Sequence, residues 1–381
     1  MAAPARAAGD ATPSPRHGAR GRARAPGVSV VETPDALTRL DAIWEELAGS
    51  DAPPTQQAAW ARACLAAFSD ARHTPYLVVA GTGAGLAIAP MMKHAGAVAR
   101  LEMLGMAALQ EPMDFLYASP DAVPPLARAL ARSRLPVVLR RVPAASPVVA
   151  ALRDAYRGRG LVLVRPAAPS PCIALDTAWR DPMRRLEPRR RGDLRRARRR
   201  AAEHGPVRPE ILAPTPHETP GLLDDAIRIE ASGWKRHART ALLLDNRRRA
   251  FFRHYAMEAS ERGALRVCFL RLGGLRVAMQ LAVEAAGAFW LLKIGYDDGF
   301  RRCSPGTLLM AETVRHAAAR GLRAYELLGT VEPWTAFWTR HARPAVSVRA
   351  YPASPGGLAA FATDLAAAAG RRLARRVSRC T

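Results

Sequence analysis

The sequence lacks any apolar run approaching the ~18 residues that cross a bilayer. Its first 26 residues are rich in Ala, Arg and Pro and contain no apolar h-region, which argues against a secretory signal peptide. Residues 1–27 are expected to form a disordered basic tail on a cytoplasmic protein. Cysteine is sparse. Cys64, Cys172, Cys268, Cys303 and Cys380 are scattered without CxxC spacing, against both a zinc site and a disulfide framework. The nine histidines form no HxxxH pair and no recognisable Ser/His/Asp pattern, so no metal site and no nucleophilic triad is expected.

Acids are also scarce. Lys and Arg total 57 against 33 Asp and Glu, a net charge of +24. The excess is concentrated: Arg180 to Arg208 holds twelve arginines against four acids, and "RRLARRVSR" near the C-terminus adds five more. Such charge suits an anionic partner, whether nucleic acid, a phosphorylated donor or a lipid surface. It equally suits solvated helix faces in an arginine-rich proteome. The central block lacks the interleaved aromatics of single-strand binders.

At 381 residues and 49% hydrophobic composition, the chain has material for two domains. Residues 28–48 suggest a strand and a helix, and "PPTQQAAWARACLAAF" a second helix. "PYLVVAGTGAGLAIAPMMK" is a hairpin, "VARLEMLG" a third strand, "SPDAVPPLARALAR" a helix and "LPVVLR" a strand. The order then returns. "ALRVCFLRLGGLRVAMQLAV" is a hairpin with Gly273-Gly274 as its turn, and "AFWLLKIGY" is a third strand. "SPGTLLMAETVRHAAARG" is a helix and "AYELLG" the last strand. Corresponding positions lie 189, 189, 185 and 187 residues apart, which implies two copies of one β-β-β-α-β unit. In each copy a helix links the last two strands, which makes them parallel. The expected divisions are a tail (1–27), an N-terminal unit (28–178), a basic bridging helical segment (179–208), a C-terminal unit (209–352) and a basic amphipathic helix (353–381).

The chemistry concentrates in the second copy. Alternation in "FWLLKIGY" puts Trp290, Leu292, Ile294 and Tyr296 on a core face and Lys293 on the other. A lysine there must reach a cleft or a carboxylate, because burying an unpaired ammonium costs several kcal/mol. The next helix places Ser304 at its N-cap and Pro305 and Gly306 in its first turn. It has no acid there and follows Arg301 and Arg302. Helix starts usually carry acids because of the dipole, so this one suits an anion on its exposed amides. The first copy has Asp121 where the second has Gly306, and an acid there would repel phosphate.

The segments "GWKRH", "FFRHYAMEASERGALRVCFLRLGGLRVAMQLAV", "LLKIGYDDGFRRCSPGTLLMAETVRHAAARGLRAYELLG" and "PWTAFW" resemble the CelD-like branch of the GNAT acyltransferases. That branch is related to the FemAB peptidyltransferases, which carry tandem GNAT units. The resemblance spans roughly Val30 to Tyr351. It implies an α/β (α+β) fold of tandem duplicated GNAT-like domains, each a mixed, mostly antiparallel sheet flanked by helices. It also implies an acyl-CoA donor, acetyl-CoA or a longer acyl-CoA, with no metal. The donor pyrophosphate would lie on "RCSPGT", through Arg301, Arg302, Ser304, Gly306 and Thr307. This loop departs from the family pattern Q/R-x-x-G-x-G/A at Pro305, which donates no N–H. Relatives often carry Tyr-Lys where this chain has Trp334-Thr335.

For transfer to an amine, Lys293 is the candidate for stabilising developing negative charge and Glu326 for the base, or else these two form a structural ion pair. Tyr296 is a candidate general acid. Glu230, Trp234, Lys235, Asp297 and Trp334 are candidate acceptor contacts; Asp297 with Asp298 better suits a turn. The acceptor would be a small molecule or an envelope glycan bearing an amine. Transfer RNA is a second candidate partner, because FemAB proteins take aminoacyl-tRNA. The C-terminal helix, with Phe361, Leu365, Ala369, Leu373 and Val377 on one side, suits either an anionic membrane or packing on its own domain. A non-catalytic basic adaptor on the same fold is the remaining alternative.

Overall fold

The computed structural model describes residues 27–33, 35–233 and 242–380; for Ala36 and residues 371–380 it describes the backbone alone. The first half runs β1 (Val28–Val31), α1 (Ala36–Ala48), α2 (Ala58–Phe68), β2 (His73–Ala80), β3 (Ala87–His94) and β4 (Arg100–Met103). It continues with α3 (Met106–Leu109), β5 (Leu116–Tyr117), α4 (Val123–Arg132), β6 (Val137–Pro143), α5 (Pro147–Tyr156) and β7 (Gly160–Ala174). After α6 (Pro182–Arg185) and α7 (Pro188–Ala202), the second half repeats the plan. It runs β8 (Val207–Leu212), α8 (Thr219–Ala231), α9 (Asn246–Glu261), β9 (Leu265–Leu272), β10 (Leu275–Ala285) and β11 (Ala288–Tyr296). Then come α10 (Pro305–Ala319), β12 (Ala324–Glu326), α11 (Pro333–Ala336), β13 (Ala342–Pro352) and α12 (Pro355–Cys380).

The duplication expected from spacing is present, and it is longer than the five elements the spacing exposed. Each unit adds a leading strand and two helices in front, and a helix and a strand behind. The pairing repeats too: β4 lies parallel to β6 and β11 parallel to β12, while the hairpins are antiparallel. The β9–β10 turn is Gly273-Gly274, both at positive φ, as a two-residue hairpin turn requires.

The two units do not form separate sheets. One sheet runs β1-β2-β3-β4-β6-β13-β7-β12-β11-β10-β9-β8, with β5 on β3. The closing strands are exchanged: β13 of the second unit pairs with β6 of the first, and β7 of the first pairs with β12 of the second. The division at 178 and 209 expected from sequence is therefore not a division of the sheet. Helices α2 and α9, equivalent in the two units, seal one face together. Trp60 lies edge-on to Phe251 (4.8 Å) and to Tyr255 (5.0 Å), and Phe68 stacks on Phe251. One apolar core consequently contains side chains from both halves, while a second core belongs to the α10 face.

Helix α7 occupies the middle of the basic segment 179–208. It does not bridge the halves: Leu194, Ala197 and Ala201 are buried in the second core, against α10 and the turn at residues 298–303. The C-terminal helix α12 packs on its own protein at its start. Phe361 meets Tyr351 at 5.3 Å, and Asp364 accepts from Tyr351 Oη at 2.7 Å and pairs with Arg349 and Arg100. No helix among the described residues is long and apolar enough to cross a membrane. The expected tail, residues 1–27, lies outside the described residues apart from Gly27.

Candidate functional site

The expected alternation on β11 fails at one point, and the failure positions the lysine. The β10–β11 register shifts between Leu281, opposite Lys293, and Ala282, opposite Leu291, which leaves Leu292 as a bulge residue. Phe289, Leu291, Ile294 and Tyr296 thus belong to the α10 face, whereas Trp290 and Leu292 pack in the shared core. Trp290 and Leu292 do not share the core face of Ile294 and Tyr296, because one extra residue inverts the parity of everything before it. Lys293 points with Leu292 toward the α2–α9 side, its Nζ 5.1 Å from the centre of the Phe252 ring.

Strand β12 leaves β11 early. They pair only at Ala288–Ala324, Phe289–Tyr325 and Trp290–Glu326. Beyond Glu326, Leu328 and Gly329 take positive φ and turn the chain away, so from Leu291 onward β11 has β10 as its only flanking strand among the described residues. On each face of β11 beside this opening lies a cavity.

On the α10 face is a cleft of about 340 Å³, lined by Gln280, Tyr296, Arg301, Ser304, Gly306, Thr307 and the indoles of Trp334 and Trp338, among others. Ser304 occupies the N-cap position in a left-handed conformation (φ 49°), but its hydroxyl makes no capping bond. Its carbonyl instead accepts from Thr307 N (3.0 Å) and Leu308 N (3.1 Å). Pro305 has no N–H. Gly306 N–H is therefore the first-turn amide without a backbone acceptor among the described residues. A Cβ on Gly306 would stand 3.5 Å from Tyr296 Cδ1, so hydrogen at this position widens the cleft. Burial, with Asp298 nearby, raises the Tyr296 phenol above its usual range, which keeps it protonated at neutral pH. Trp334 is held by a bond from its Nε1 to Glu332 Oε2 at 2.8 Å, and Thr335 closes a capping box with Glu332. Arg302 is exposed at the rim, where its carbonyl accepts from Arg200 of α7 at 3.3 Å.

On the opposite face, a cavity of about 180 Å³ lies between the halves. Its polar wall is Glu111, Lys293 and Arg248, and its apolar wall includes Trp60, Phe252 and Leu292. Glu111 sits on the loop after α3. Burial pushes its carboxyl above the ordinary glutamate range, and the charges of Lys293, Arg141 and Arg248 oppose that rise. Gly329 N donates to Glu111 Oε2 at 3.3 Å. Buried Arg141 fastens this wall: it donates to Gln110 O (2.7 Å), to Ser170 Oγ (2.6 Å) and to Gly329 O, joining the loop, β7 and the turn after β12.

Several expected roles change. Glu326 does not meet Lys293. It is buried and receives two bonds from Arg343, at 2.6 and 2.9 Å, in a separate groove with Cys172 and His341. An oxygen already taken by a guanidinium is poorly placed to be a base, and the expected Lys293–Glu326 ion pair is replaced by Glu326–Arg343. Glu230 lines neither of these two cavities. It is 1% exposed and accepts from Leu242 N at 2.8 Å, with α8 pressed so close to β11 that a Cβ on Gly295 would come within 2.6 Å of Glu230 Cα. Asp297 makes the turn, accepting from Gly299 N at 2.9 Å. Ser304 is at the cap position without side-chain capping. Trp234 and Lys235 lie outside the described residues. The second cavity's acid, Glu111, was not among the residues singled out from the sequence. No cluster of three or more His, Cys, Asp or Glu able to hold a metal occurs among the described residues.

Residues 188–335 match the family model of the acetyltransferase (GNAT) domain. This stretch is a GNAT domain. It runs from α7 to α11 and contains the opened β11–β12 pair and the whole α10 cleft. No curated protein matches the sequence. The fold of the whole chain is similar to FemX, at 10% identity and a TM-score of 0.55 over 83% of this chain and 95% of that one. It is also similar to the C-terminal domain of a candidate lysylphosphatidylglycerol synthetase from Agrobacterium fabrum (12%, 0.54, 86% and 96%). A third neighbour is a conserved protein of unknown function from Bacteroides thetaiotaomicron (12%, 0.52, 85% and 99%). At these identities the likeness is one of fold. The chain is built as a GNAT-type fold in two units, similar in fold to FemX, and the GNAT domain lies in the second.

Proposed function

We propose that the protein is a GNAT-type N-acyltransferase that moves an acyl group from acyl-coenzyme A to an amine. The observation that carries this is the coincidence of the opened β11–β12 pair with the acid-free start of α10 in one cleft. GNAT domains generally use acyl-CoA. Gly306 N–H, Arg301, Thr307 and Ser304 are the groups that would hold a pyrophosphate, with Arg302 at the rim. With Pro305 in the loop, the cradle relies on a single first-turn amide and on arginine charge. The acyl chain would enter between Tyr296, Gln280 and the two indoles, toward the opening. Tyr296, protonated at neutral pH, would give a proton to the departing thiolate. Lys293 lies across β11 from this cleft and would act on the acceptor side.

Incubation with acetyl-CoA, with longer acyl-CoAs and with charged tRNA separately, followed by mass spectrometry for product and bound donor, tests the proposal. Acyl transfer from a CoA ester is expected. No turnover and no bound CoA ester would overturn it.

One observation favours a second reading. Arg195, Arg196, Arg198, Arg199 and Arg200 are all exposed on α7, and Arg200 reaches the Arg302 carbonyl at the cleft rim. A row of guanidiniums there suits the phosphates of an aminoacyl-tRNA donor, with an envelope precursor as acceptor. Such binding would weaken steeply with salt; tRNA binding indifferent to salt would remove this reading. An acceptor at the inner face of the membrane is compatible with either donor.

A further inference from the structure

The proposal above uses the α10 cleft for the donor and leaves the cavity between the halves unassigned. Three features give that cavity a chemistry. First, its position: it lies across β11 from the donor cleft, beside the region where β12 has turned away, so that a molecule in it approaches the opening from the other face. Second, its charge: Glu111 stands with the cationic side chains of Lys293 and Arg248 in the cavity wall, and with Arg141 at 3.9 Å. Arg248 is anchored at its Nε by Ala108 O (2.9 Å) and pairs with Asp245 at 3.3 Å. Third, its construction: the walls come from both units, Glu111 and Trp60 from the first and Lys293, Arg248 and Phe252 from the second. Arg141 holds the acid's loop against the turn after β12. Neither unit could make this cavity alone.

We propose that this cavity is the acceptor site, that it takes a small primary amine carrying a carboxylate within a few bonds, as in an α-amino acid, and that Glu111 is its general base. The proposal rests on the acyl-transfer reading above. Glu111 receives the substrate ammonium, and Lys293 and Arg248 receive its carboxylate. Trp60, Phe252 and Leu292 take its apolar part. A volume of about 180 Å³ admits a small amino acid and not an intact glycan chain. The ammonium gives one proton to Glu111. The freed amine attacks the thioester carbonyl carbon, and a C–N bond forms as the C–S bond breaks. The surplus proton on nitrogen passes to the departing sulfur, directly or through Tyr296, and Glu111 returns its proton to water. The products are the amide, free CoA and one proton. Partial burial suits Glu111 to this task, because a carboxyl with a raised pKa is a stronger base.

Two measurements test this independently. Equilibrium titration of the full-length protein with L-alanine and with ethylamine, without donor, reads the site. L-Alanine is expected to bind at least tenfold more tightly, with that preference lost in Lys293→Met and binding weakened at least tenfold in Glu111→Gln. Equal binding of the two amines, or unchanged binding in both variants, overturns the acceptor assignment. Steady-state transfer from acetyl-CoA then reads the base. Glu111→Gln is expected to lower kcat by at least a hundredfold and to abolish the acidic limb of its pH profile, with thermal melting showing a folded protein. A wild-type kcat in Glu111→Gln overturns the base. Should Glu111→Gln fail to fold, Lys293→Met alone decides the anionic arm, and the position of the wild-type acidic limb decides the base. L-Alanine binding with no CoA-ester binding or turnover leaves the cavity assignment standing and removes the acyl-transfer reading. Transfer to amines excluded from the cavity does the reverse.

Discussion

Replacing Gly306 by Asp should separate donor binding from folding, because the two respond in opposite directions. The backbone there is not left-handed, and a new Cβ would meet Tyr296 Cδ1 at an ordinary 3.5 Å, so the side chain fits. A carboxylate in the first turn of α10 complements the helix dipole and should add about 0.3–1 kcal/mol to stability. Loss of glycine's freedom in the unfolded chain contributes in the same sense. For a bound diphosphate the effect reverses. At about 5–6 Å and an effective dielectric of roughly 40, each pair of unit charges repels by about 1.5 kcal/mol. Two phosphate charges give about 3 kcal/mol before screening by salt, and roughly 10–100-fold in Kd after it. Pairing of the new carboxylate with Arg301 would reach the same end by occupying the donor's cation. The assay is calorimetric titration with coenzyme A beside a thermal melt, with Gly306→Ala as the control for bulk. The expected result is a melting temperature equal to or above wild type with CoA binding weakened at least tenfold, and Gly306→Ala much closer to wild type. Wild-type CoA affinity in Gly306→Asp would refute the argument that this helix start holds the donor.

Three further outcomes follow from the same geometry. Glu326→Gln should keep activity within a few-fold and cost about 1 kcal/mol or less in urea unfolding. Its partner Arg343 is 62% exposed in its side chain, and the amide oxygen can still accept; a hundredfold loss of kcat would restore Glu326 as the base. Arg141→Met should cost roughly 3–5 kcal/mol, because it leaves the Gln110 and Gly329 carbonyls without their shared donor and Glu111 with one fewer neighbouring cation; a melt within about 2 °C of wild type would contradict the clamp. Activity should rise with pH as Glu111 loses its proton. The midpoint should lie above that of an ordinary glutamate, because burial raises this carboxyl more than Lys293, Arg141, Arg248 and the Gly329 N–H lower it. The same shift means that the contribution of Glu111 to stability is greatest at pH values below the unfolded pKa and fades as pH climbs through the raised folded value. An acidic limb at or below the ordinary glutamate pKa would contradict this.

The repeat was legible because glycine turns, proline starts and apolar periods recur at nearly constant spacing, and each is a local property. The start of α10 was legible for the same reason: the absence of acid between Pro305 and Met310 is visible in one dimension. The orientation of Trp290 and Leu292 was not, because a bulge is created by the register against β10 and leaves no mark in the sequence of β11. Glu326 was misassigned because its partner, Arg343, lies on a strand that belongs to the other half of the sheet. Glu111 had one faint signal. The spacing between copies falls from 189 to 185 between β4 and α4, so the first copy's loop is four residues longer, and that loop carries Glu111. An insertion marks a place where something was added, but only the packing of one half on the other shows what it faces.

The crossing of β7 and β13 has a consequence for anyone who would divide the molecule. A cut near residue 205 would yield two fragments that each retain a complete set of elements in sequence yet leave one slot of their sheet vacant. Each fragment's closing strand is shaped for the other's slot. Mixed in solution, the fragments should recover a native assembly by mutual completion, whereas either one alone would expose an unfilled edge and tend to dimerise with its own kind or precipitate.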